Sequence, residues 1–366
     1  MKVTIVNCFD TYEQRVDMVL SFFKNRGDDV KVYTSDFRHF KKIKRDDVKD
    51  HYIFFGAKPY YKNLSVARLK SHSQLAKDIF IRLRKEQNDL LWILLPPNSF
   101  VREAKKFKIQ NPQTKVIFDI MDMWPETMPI GKLKSFFPFT IWKNLRDKNI
   151  ACADLVVTEC DLFKKKLQKY VASEKMKTIY LARDVEKYKE NVNIPKDVLS
   201  LCYLGSINNI IDINVIQNII KSLALNKKVK LHIIGDGEKR QELLEKSEQA
   251  GAEVIYHGKV YDLEEKQRIF SVCHYGLNIM KESVYVGLTM KSIDYFEAGL
   301  PVINNIKGDT WKFVEKEKIG YNLDSNTDYD AVAEYDVDMR RRTKNFFENT
   351  FSTTCFFNAL EKIELE

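Results

Sequence analysis

Gly287-Leu288-Thr289-Met290-Lys291-Ser292-Ile293-Asp294-Tyr295-Phe296-Glu297-Ala298-Gly299-Leu300-Pro301-Val302-Ile303 is the stretch on which the fold turns. It reads as a loop, a helix, a glycine stop and a short strand. Gly287 lets the backbone pass close to a ligand. Thr289 has the side chain of an N-cap, and Gly299 that of a helix terminator. Pro301-Val302-Ile303 opens a strand apolar enough to be buried on both faces. A helix delivered into such a strand is half of a βαβ unit, and βαβ units build parallel sheets. Lys291 and Asp294 are three residues apart, so they share a helix face. The first N–H groups of that helix, with its macrodipole, suit a diphosphate. The lysine can steady phosphate or loop backbone, and the aspartate can accept hydrogen bonds from both ribose hydroxyls. The same residues also fit an amphipathic helix with an i,i+3 salt bridge.

Working outward, the rhythm repeats in both directions. Strands are expected at Val3–Cys8, Val30–Ser35, Tyr52–Gly56, Leu90–Leu95, Lys115–Ile120, Leu155–Glu159 and Thr178–Leu181, with helices such as Glu13–Asn25 and Ser65–Arg84 between them. The polar stretch Glu186–Asp197, with Pro195, reads as a linker. Beyond it strands are expected at Leu199–Leu204, Lys230–Ile234, Glu253–Tyr256, Tyr275–Ile279, Pro301–Asn304 and Gly320–Leu323. Helices fit Asn214–Leu225, Glu238–Ala250, Leu263–Cys273, Thr289–Glu297 and Thr310–Glu317. The expected fold class is therefore α/β, with two Rossmann-like parallel-sheet domains, 1–185 and 186–351, facing across a cleft. The amphipathic C-terminal segment, 352–366, is expected to pack back on the first. Ligands of such sheets bind at the carboxyl ends of the strands.

A chain of 366 residues has room for two such cores. Its longest apolar run, Leu90–Leu95, is far shorter than the ~20 residues that span a bilayer. The N-terminus reads as a buried strand rather than a signal peptide, so a cytoplasmic location is expected. None of the six cysteines sits in a C-x-x-C pair or with zinc-site spacing, so they read as reduced thiols. The net charge of +9 is uneven: residues 1–185 carry a balance of +14 and the remainder −5. A basic half suits an anionic membrane, a phosphorylated acceptor or nucleic acid, and equally an ordinary solvated surface.

The segment Lys291-x-x-Asp294-Tyr295-x-x-Ala298-Gly299-x-Pro301-Val302 resembles the nucleotide-sugar signature of family-4, GT-B-fold glycosyltransferases of the polysaccharide-assembly type. Asp294 stands where that family has a ribose-binding glutamate. Upstream, Tyr203-Leu204-Gly205-Ser206 resembles the family's phosphate loop. Leu231–Gly237 resembles its strand and G-x-G turn, and Glu253–Val260 the strand that ends beside the base. The resemblance implies a metal-independent, retaining transfer with no cofactor beyond the nucleotide-diphosphate sugar itself. It implies a donor site made of Gly205, Ser206, Asn208, Gly235, Asp236, Gly237, Val260, Tyr261, Lys281, Val286, Gly287, Leu288, Thr289, Lys291 and Asp294. Beyond Asp294, the donor site departs from the family in two further places. The loop Ser206–Ile211 carries no cation for the diphosphate, and Val286 replaces the second glutamate.

In the first half, Asp119-Ile120-Met121-Asp122-Met123-Trp124-Pro125-Glu126 resembles the D-x-W-P-E turn of polysaccharide-assembling members. It makes Asp122 and Glu126 the expected catalytic carboxylates and Trp124 a platform for a sugar ring. Tyr12 and Arg15, in place of a glycine-rich turn, are the expected acceptor contacts. The same turn also reads as a tryptophan-anchored structural corner. Ala182-Arg183-Asp184-Val185 resembles the family's interdomain crossing. Two basic stretches, Arg38–Arg45 and Lys132–Lys143, suit an anionic membrane surface. The aromatics among the lysines of the second equally fit a core or single-stranded nucleic acid, though no RNA-binding motif accompanies them. No metal site is expected. Asp328-x-Asp330 and Asp336-x-Asp338 lie in acidic, helical surroundings. The expected function is glycosyl transfer onto an acceptor hydroxyl, with a lipid-linked glycan of a bacterial surface polysaccharide as acceptor, at the inner face of the membrane. The alternatives are a GT-B-like binding partner without catalysis and a sugar-nucleotide epimerase.

Overall fold

The computed structural model describes residues 1–128, 130–185, 194, 197–324 and 326–363. The linker expected at Glu186–Asp197 lies, apart from Ile194 and Asp197, outside the described residues. The chain divides into two compact units, Met1–Leu181 with Phe356–Glu366, and Ala182–Cys355.

The first unit is built on β1 (Lys2–Val6), β2 (Asp29–Ser35), a two-stranded antiparallel ribbon of β3 (Phe37–Arg38) and β4 (Ile43–Lys44), then β5 (Tyr52–Phe55), β6 (Leu90–Leu95), β7 (Lys115–Ile120), β8 (Leu155–Thr158) and β9 (Met176–Thr178). Seven strands form one parallel sheet in the order β5-β2-β1-β6-β7-β8-β9. Every residue of β6 is buried, as an unbroken apolar run requires when helices cover both faces. Those helices are α1 (Glu13–Asn25), α2 (Val66–Leu83), α3 (Ser99–Gln110), α4 (Phe139–Asp147) and α5 (Asp161–Leu167). The last strand was expected at Thr178–Leu181 and lies earlier. Met176–Thr178 pairs with Val156–Thr158, and the carbonyls of Ile179 and Tyr180 turn out of the ladder to accept from Arg15.

The second unit holds β10 (Val198–Leu204), β11 (Lys228–Ile234), β12 (Ala252–Gly258), β13 (Tyr275–Asn278), β14 (Val302–Asn304) and β15 (Gly320–Asn322), parallel in the order β12-β11-β10-β13-β14-β15. Its helices are α6 (Ile213–Leu223), α7 (Arg240–Gln249), α8 (Leu263–Ser271), α9 (Met290–Glu297), α10 (Asp309–Glu317), α11 (Tyr329–Glu334) and α12 (Asp338–Thr350). Helix α6 shows why the pattern folds as it does. Ile213, Ile216, Ile219, Ile220 and Leu223 fall on one face and are buried, and Asp212 caps the first turn at Val215 N. The final helix, α13 (Thr353–Glu361), carries the chain back into the first unit. There Phe357 stacks on Phe22, and the Arg15 guanidinium lies 5.1 Å from the Phe356 ring.

Both sheets are doubly wound. Strand order reverses between β1 and β6 in the first and between β10 and β13 in the second. Loops leaving two such strands diverge to opposite faces and open a crevice at the carboxyl edge. Among the described residues no helix is long and apolar enough to cross a membrane.

Candidate functional site

The crevice of the second sheet lies between the loops that leave β10 and β13. The loop after β10 is held by the loop after β11. Gly205 N donates to Ile234 O, Ile207 N to Asp236 O and Lys239 N to Ile207 O. This packing explains two of the expected donor residues. A Cβ on Gly235 would stand 1.9 Å from Gly205 O, and one on Gly237 would stand 2.3 Å from Ile207 O. Both glycines are required by contact between the two loops. Ser206 is exposed, and Asn208 closes its own loop by accepting from Ile210 N. Asp236 accepts from Gly237 N. Lys281 and Tyr261 are exposed, and Val260 and Val286 are half-buried.

Helix α9 approaches the same crevice. Thr289 is its N-cap, and with Ser292 it completes a capping box. The Thr289 hydroxyl also donates to Asn278 Oδ1 at 2.8 Å. That asparagine belongs to a buried ladder: Asn278 Nδ2 donates to Asn304 Oδ1, and Asn304 Nδ2 to Asn322 Oδ1. Three neighbouring strands thus end in asparagines that tie the start of α9 to the sheet. Gly287 is buried and accepts from both the backbone and the hydroxyl of Thr310, while Leu288 is buried beside it.

Lys291 is 8% exposed. Its Nζ donates to Ile279 O at 3.3 Å and lies 4.9 Å over the Tyr203 ring. Tyr203 is the last residue but one of β10 and Ile279 follows β13, so the ammonium sits under the switch point. Among the described residues no carboxylate pairs with it, and burial holds its pKa down at about 7. Tyr295 crosses β10 edge-on: its hydroxyl accepts from Leu204 N and donates to Cys202 O. Gly276 makes room for it, since a Cβ there would stand 2.6 Å from the tyrosine ring.

Asp294 is not free. Arg183 forms an ion pair with it, and Lys266 Nζ stands 3.5 Å away. Arg183 also reaches Glu297 at 3.2 Å, whose own pKa is raised by burial, with Arg183 opposing. The i,i+3 bridge with Lys291 that the spacing allowed does not form, because Lys291 turns inward under the sheet.

In the first unit the expected catalytic and acceptor residues already have partners within the fold. Arg15 is buried and spent: it holds Asp119 with two hydrogen bonds of 2.7 and 2.9 Å and donates to the carbonyls of Ile179 and Tyr180. It ties β7 to the segment after β9 and offers nothing to an acceptor. Glu126 is likewise committed, taking both Nη atoms of Arg146 at 3.2 and 2.7 Å. Asp122 accepts from Met123 N, from Trp124 Nε1 at 2.6 Å and from the Thr127 hydroxyl. Burial raises its pKa, those hydrogen bonds opposing. It therefore organises the Asp122–Thr127 turn. Trp124 is half-buried, with Arg68 4.1 Å from its ring and Phe9 and Trp142 at its edges. Tyr12 is half-buried against Phe9, and burial holds its hydroxyl protonated, with Asp122 adding to the shift.

The basic stretch Arg38–Arg45 is largely neutralised within its own unit. Arg38 pairs with Asp47, Lys44 with Asp36, and Arg45 with Glu13 and Asp47. It forms the β3–β4 ribbon, not a free cationic loop. The Lys132–Lys143 stretch differs: Leu133, Phe136, Phe137 and Ile141 are all more than half exposed, while Trp142 is core. Sequence reasoning missed Arg68, Arg146 and the buried asparagines. The one available signal was that three expected strands each carry an asparagine at or next to their last residue, at 278, 304 and 322.

With this geometry in place, comparison with known proteins is direct. Residues 199–335 match the family model of glycosyl transferases group 1. No curated protein sequence matches the chain. Among solved structures, HepE from Anabaena in complex with UDP is 12% identical, covers 99% of both chains and superposes with a TM-score of 0.65. The apo lipopolysaccharide outer core galactosyltransferase WaaB is 12% identical over 99% of this chain and 98% of its own, with a TM-score of 0.67. Sucrose-phosphate synthase from Thermosynechococcus elongatus is 11% identical over 99% and 98%, with a TM-score of 0.68. The resemblance read from Lys291 to Val302 therefore holds: the second unit carries the glycosyl transferases group 1 pattern, and the chain has the paired Rossmann-like domains of GT-B glycosyltransferases.

Proposed function

We propose that the chain is a glycosyltransferase that moves a sugar from a nucleotide-diphosphate donor to an acceptor hydroxyl, with retention and without a metal. One observation carries the reading: Lys291, a buried amine that pairs with no carboxylate among the described residues, lies under the switch point beside the capped start of α9. A diphosphate placed there would meet the first N–H groups of α9 and supply the missing counter-charge. As the bond from the anomeric carbon to the diphosphate oxygen breaks, negative charge grows on the leaving group. Lys291 and the helix start would stabilise it there, where such stabilisation counts most. The acceptor oxygen takes the anomeric carbon, and its proton passes to the departing phosphate oxygen. Asp122 and Glu126 are hydrogen-bonded elsewhere, so neither is assigned as base. Asp294 would accept from the ribose hydroxyls, exchanging its contact with Lys266 for them.

The acceptor we propose is a lipid-linked glycan of a surface polysaccharide, met at the cytoplasmic face of the membrane. Exposed Leu133, Phe136, Phe137 and Ile141 beside Lys134 and Lys143 support that placement. The test is a thermal-shift panel of nucleoside diphosphates and their sugars, beginning with UDP and UDP-glucose, since HepE is seen with UDP. A true donor at a hundred times its Kd stabilises the fold by about 2.7 kcal/mol. If no member of the panel shifts the transition, the donor site is refuted.

A further inference from the structure

The first unit buries three arginines deeply, and they fare differently. Arg15 meets Asp119, and Arg146 meets Glu126 and Asp147. Arg68, in the first turn of α2 and 3% exposed, meets no carboxylate among the described residues. Its Nη1 donates to Asn63 O at 2.7 Å, while Nε and Nη2 are buried and, among the described residues, donate to nothing. Its surroundings are aromatic: Trp124 at 4.1 Å, Phe9 at 5.6 Å and Tyr60 at 5.7 Å from the guanidinium carbon. Cation–π attraction offsets part of the lost hydration but leaves two N–H groups unanswered.

Among the described residues, none of the nearby titratable groups forms an ion pair with Arg68, although Asp122 lies close enough for the guanidinium to oppose the rise of its pKa. Lys42 stands 4.9 Å over the Tyr60 ring. His39 and His72 both approach the Tyr60 hydroxyl, and burial, reinforced by Arg68, keeps both neutral, His39 at about 4. The Nδ1 of His72 is also buried without a partner. Asp10 accepts from His39 N, and Asp122 is filled by its three donors.

Arg68 also forms part of the wall of a cavity of about 170 Å³ between the starts of α2 and α4, otherwise lined mainly by Leu64, Val66, Leu69, Pro138, Phe139 and Trp142. Such a lining holds hydrocarbon better than water, which needs two to four polar partners. Leu64 and Val66 at its rim are more than half exposed, as are Phe136 and Phe137 just before α4.

We propose that this cavity takes a lipid phosphate, its chain among the apolar side chains and its anionic head against Arg68. The inference rests on the glycosyltransferase reading and names the chemistry of its acceptor: a phosphate or pyrophosphate ester of a long hydrocarbon. Charge complementarity selects this occupant. A neutral lipid would leave the guanidinium unanswered, and a free anion would leave the apolar wall unfilled.

The experiment uses the full chain and three probes below micellar concentration: citronellyl phosphate, citronellol and inorganic phosphate. Calorimetry gives affinity, and the fluorescence of Trp124 and Trp142 reports occupancy. Citronellyl phosphate binds at least tenfold tighter than either other probe. Arg68→Met loses at least tenfold, and Arg68→Lys, which keeps the charge, retains an intermediate affinity. Equal affinity of Arg68→Met and wild type overturns the proposal, as does citronellol matching the phosphate ester. Inorganic phosphate matching the ester makes this a plain anion site and overturns the lipid assignment. Nucleotide-sugar binding by the wild-type chain is measured in parallel. If that succeeds while citronellyl phosphate fails, only this inference falls; if the nucleotide sugars also fail, the glycosyltransferase reading falls with it.

Discussion

Lys291 makes the donor site sensitive to pH in a direction that can be worked out. Burial lowers its pKa from the ordinary 10.5 to about 7. At ~1.4 kcal/mol per tenfold, the buried charge costs about 5 kcal/mol. Below pH 7 the ammonium is present whether or not ligand is bound. Above pH 7 it is neutral in the free protein, while a bound diphosphate favours the charged form and raises the pKa in the complex. Binding then takes up a proton, and affinity falls with rising pH, approaching tenfold per unit until the pKa of the complex is reached. A nucleotide sugar is the right probe, because its diphosphate has no terminal ionisation in this range. Isothermal titration calorimetry between pH 6 and 8.5, in buffers of different ionisation enthalpy, should show affinity flat near pH 6, roughly tenfold weaker at pH 8, and matching proton uptake. Of the histidines in this unit, burial lowers His232 to about 4, below that window, and also lowers His257. Lys291→Met should abolish the slope and bind more weakly at pH 6. A wild-type profile flat to pH 8.5, or an equal slope in Lys291→Met, would refute the reasoning.

Three further outcomes are expected. Asp294→Asn should weaken nucleotide-sugar binding by about 1.5–3 kcal/mol, since a charged acceptor becomes a neutral amide; calorimetry checks it, and unchanged affinity would remove Asp294 from the site. Gly235→Ala should lower the urea midpoint by the equivalent of at least ~2 kcal/mol at unchanged m, because its Cβ meets Gly205 O at 1.9 Å and its φ is +140. Phe136→Ser with Phe137→Ser should release the chain from anionic vesicles in a flotation assay while nucleotide affinity stays within twofold; co-flotation of the variant would end the membrane reading.

Much of the fold was legible because local pattern and tertiary demand agree. The run Leu90–Leu95 can only be a doubly covered strand, and it is found with the expected bounds. The same holds for Lys115–Ile120 and Glu13–Asn25. The site was less legible because its meaning depends on partners distant in sequence. Arg15 and Asp119 are 104 residues apart, and nothing local distinguishes an arginine that will face solvent from one that will be clamped. Asp294 was read beside Lys291, three residues away, yet its partner is Arg183, 111 residues upstream. The ribbon at Phe37–Lys44 escaped notice because a run dense in lysine and arginine reads as solvated loop, and the acids that neutralise it come from Glu13, Asp36 and Asp47. Gly235 and Gly237 entered the donor site through the family resemblance of their G-x-G turn, and each comes close to a neighbouring loop, where its partner is backbone.

Buried cations divide into two kinds here, and stability separates them. Arg15 answers a buried carboxylate, so Arg15→Met strands Asp119 at zero exposure and should cost about 3–5 kcal/mol. Lys291 and Arg68 each form an ion pair with no carboxylate among the described residues. Their methionine variants remove a desolvated charge and keep most of the apolar stem, so the free protein should lose little or gain stability at pH 6. For Lys291 the sign is fixed by linkage. Between its folded pKa near 7 and its unfolded 10.5 the unfolded chain binds the extra proton, so wild-type stability rises with pH across that interval, and Lys291→Met should not share the rise. Urea unfolding of the three variants at pH 6 and pH 8.5 measures all of this at once. A fold that kept Lys291 and Arg68 for its own cohesion would lose several kcal/mol on either substitution, as it does for Arg15. If instead both variants stand firm while Arg15→Met collapses, the two cations are held at a cost the folded chain does not recover by itself. An anion arriving from outside is then the physical reason for them.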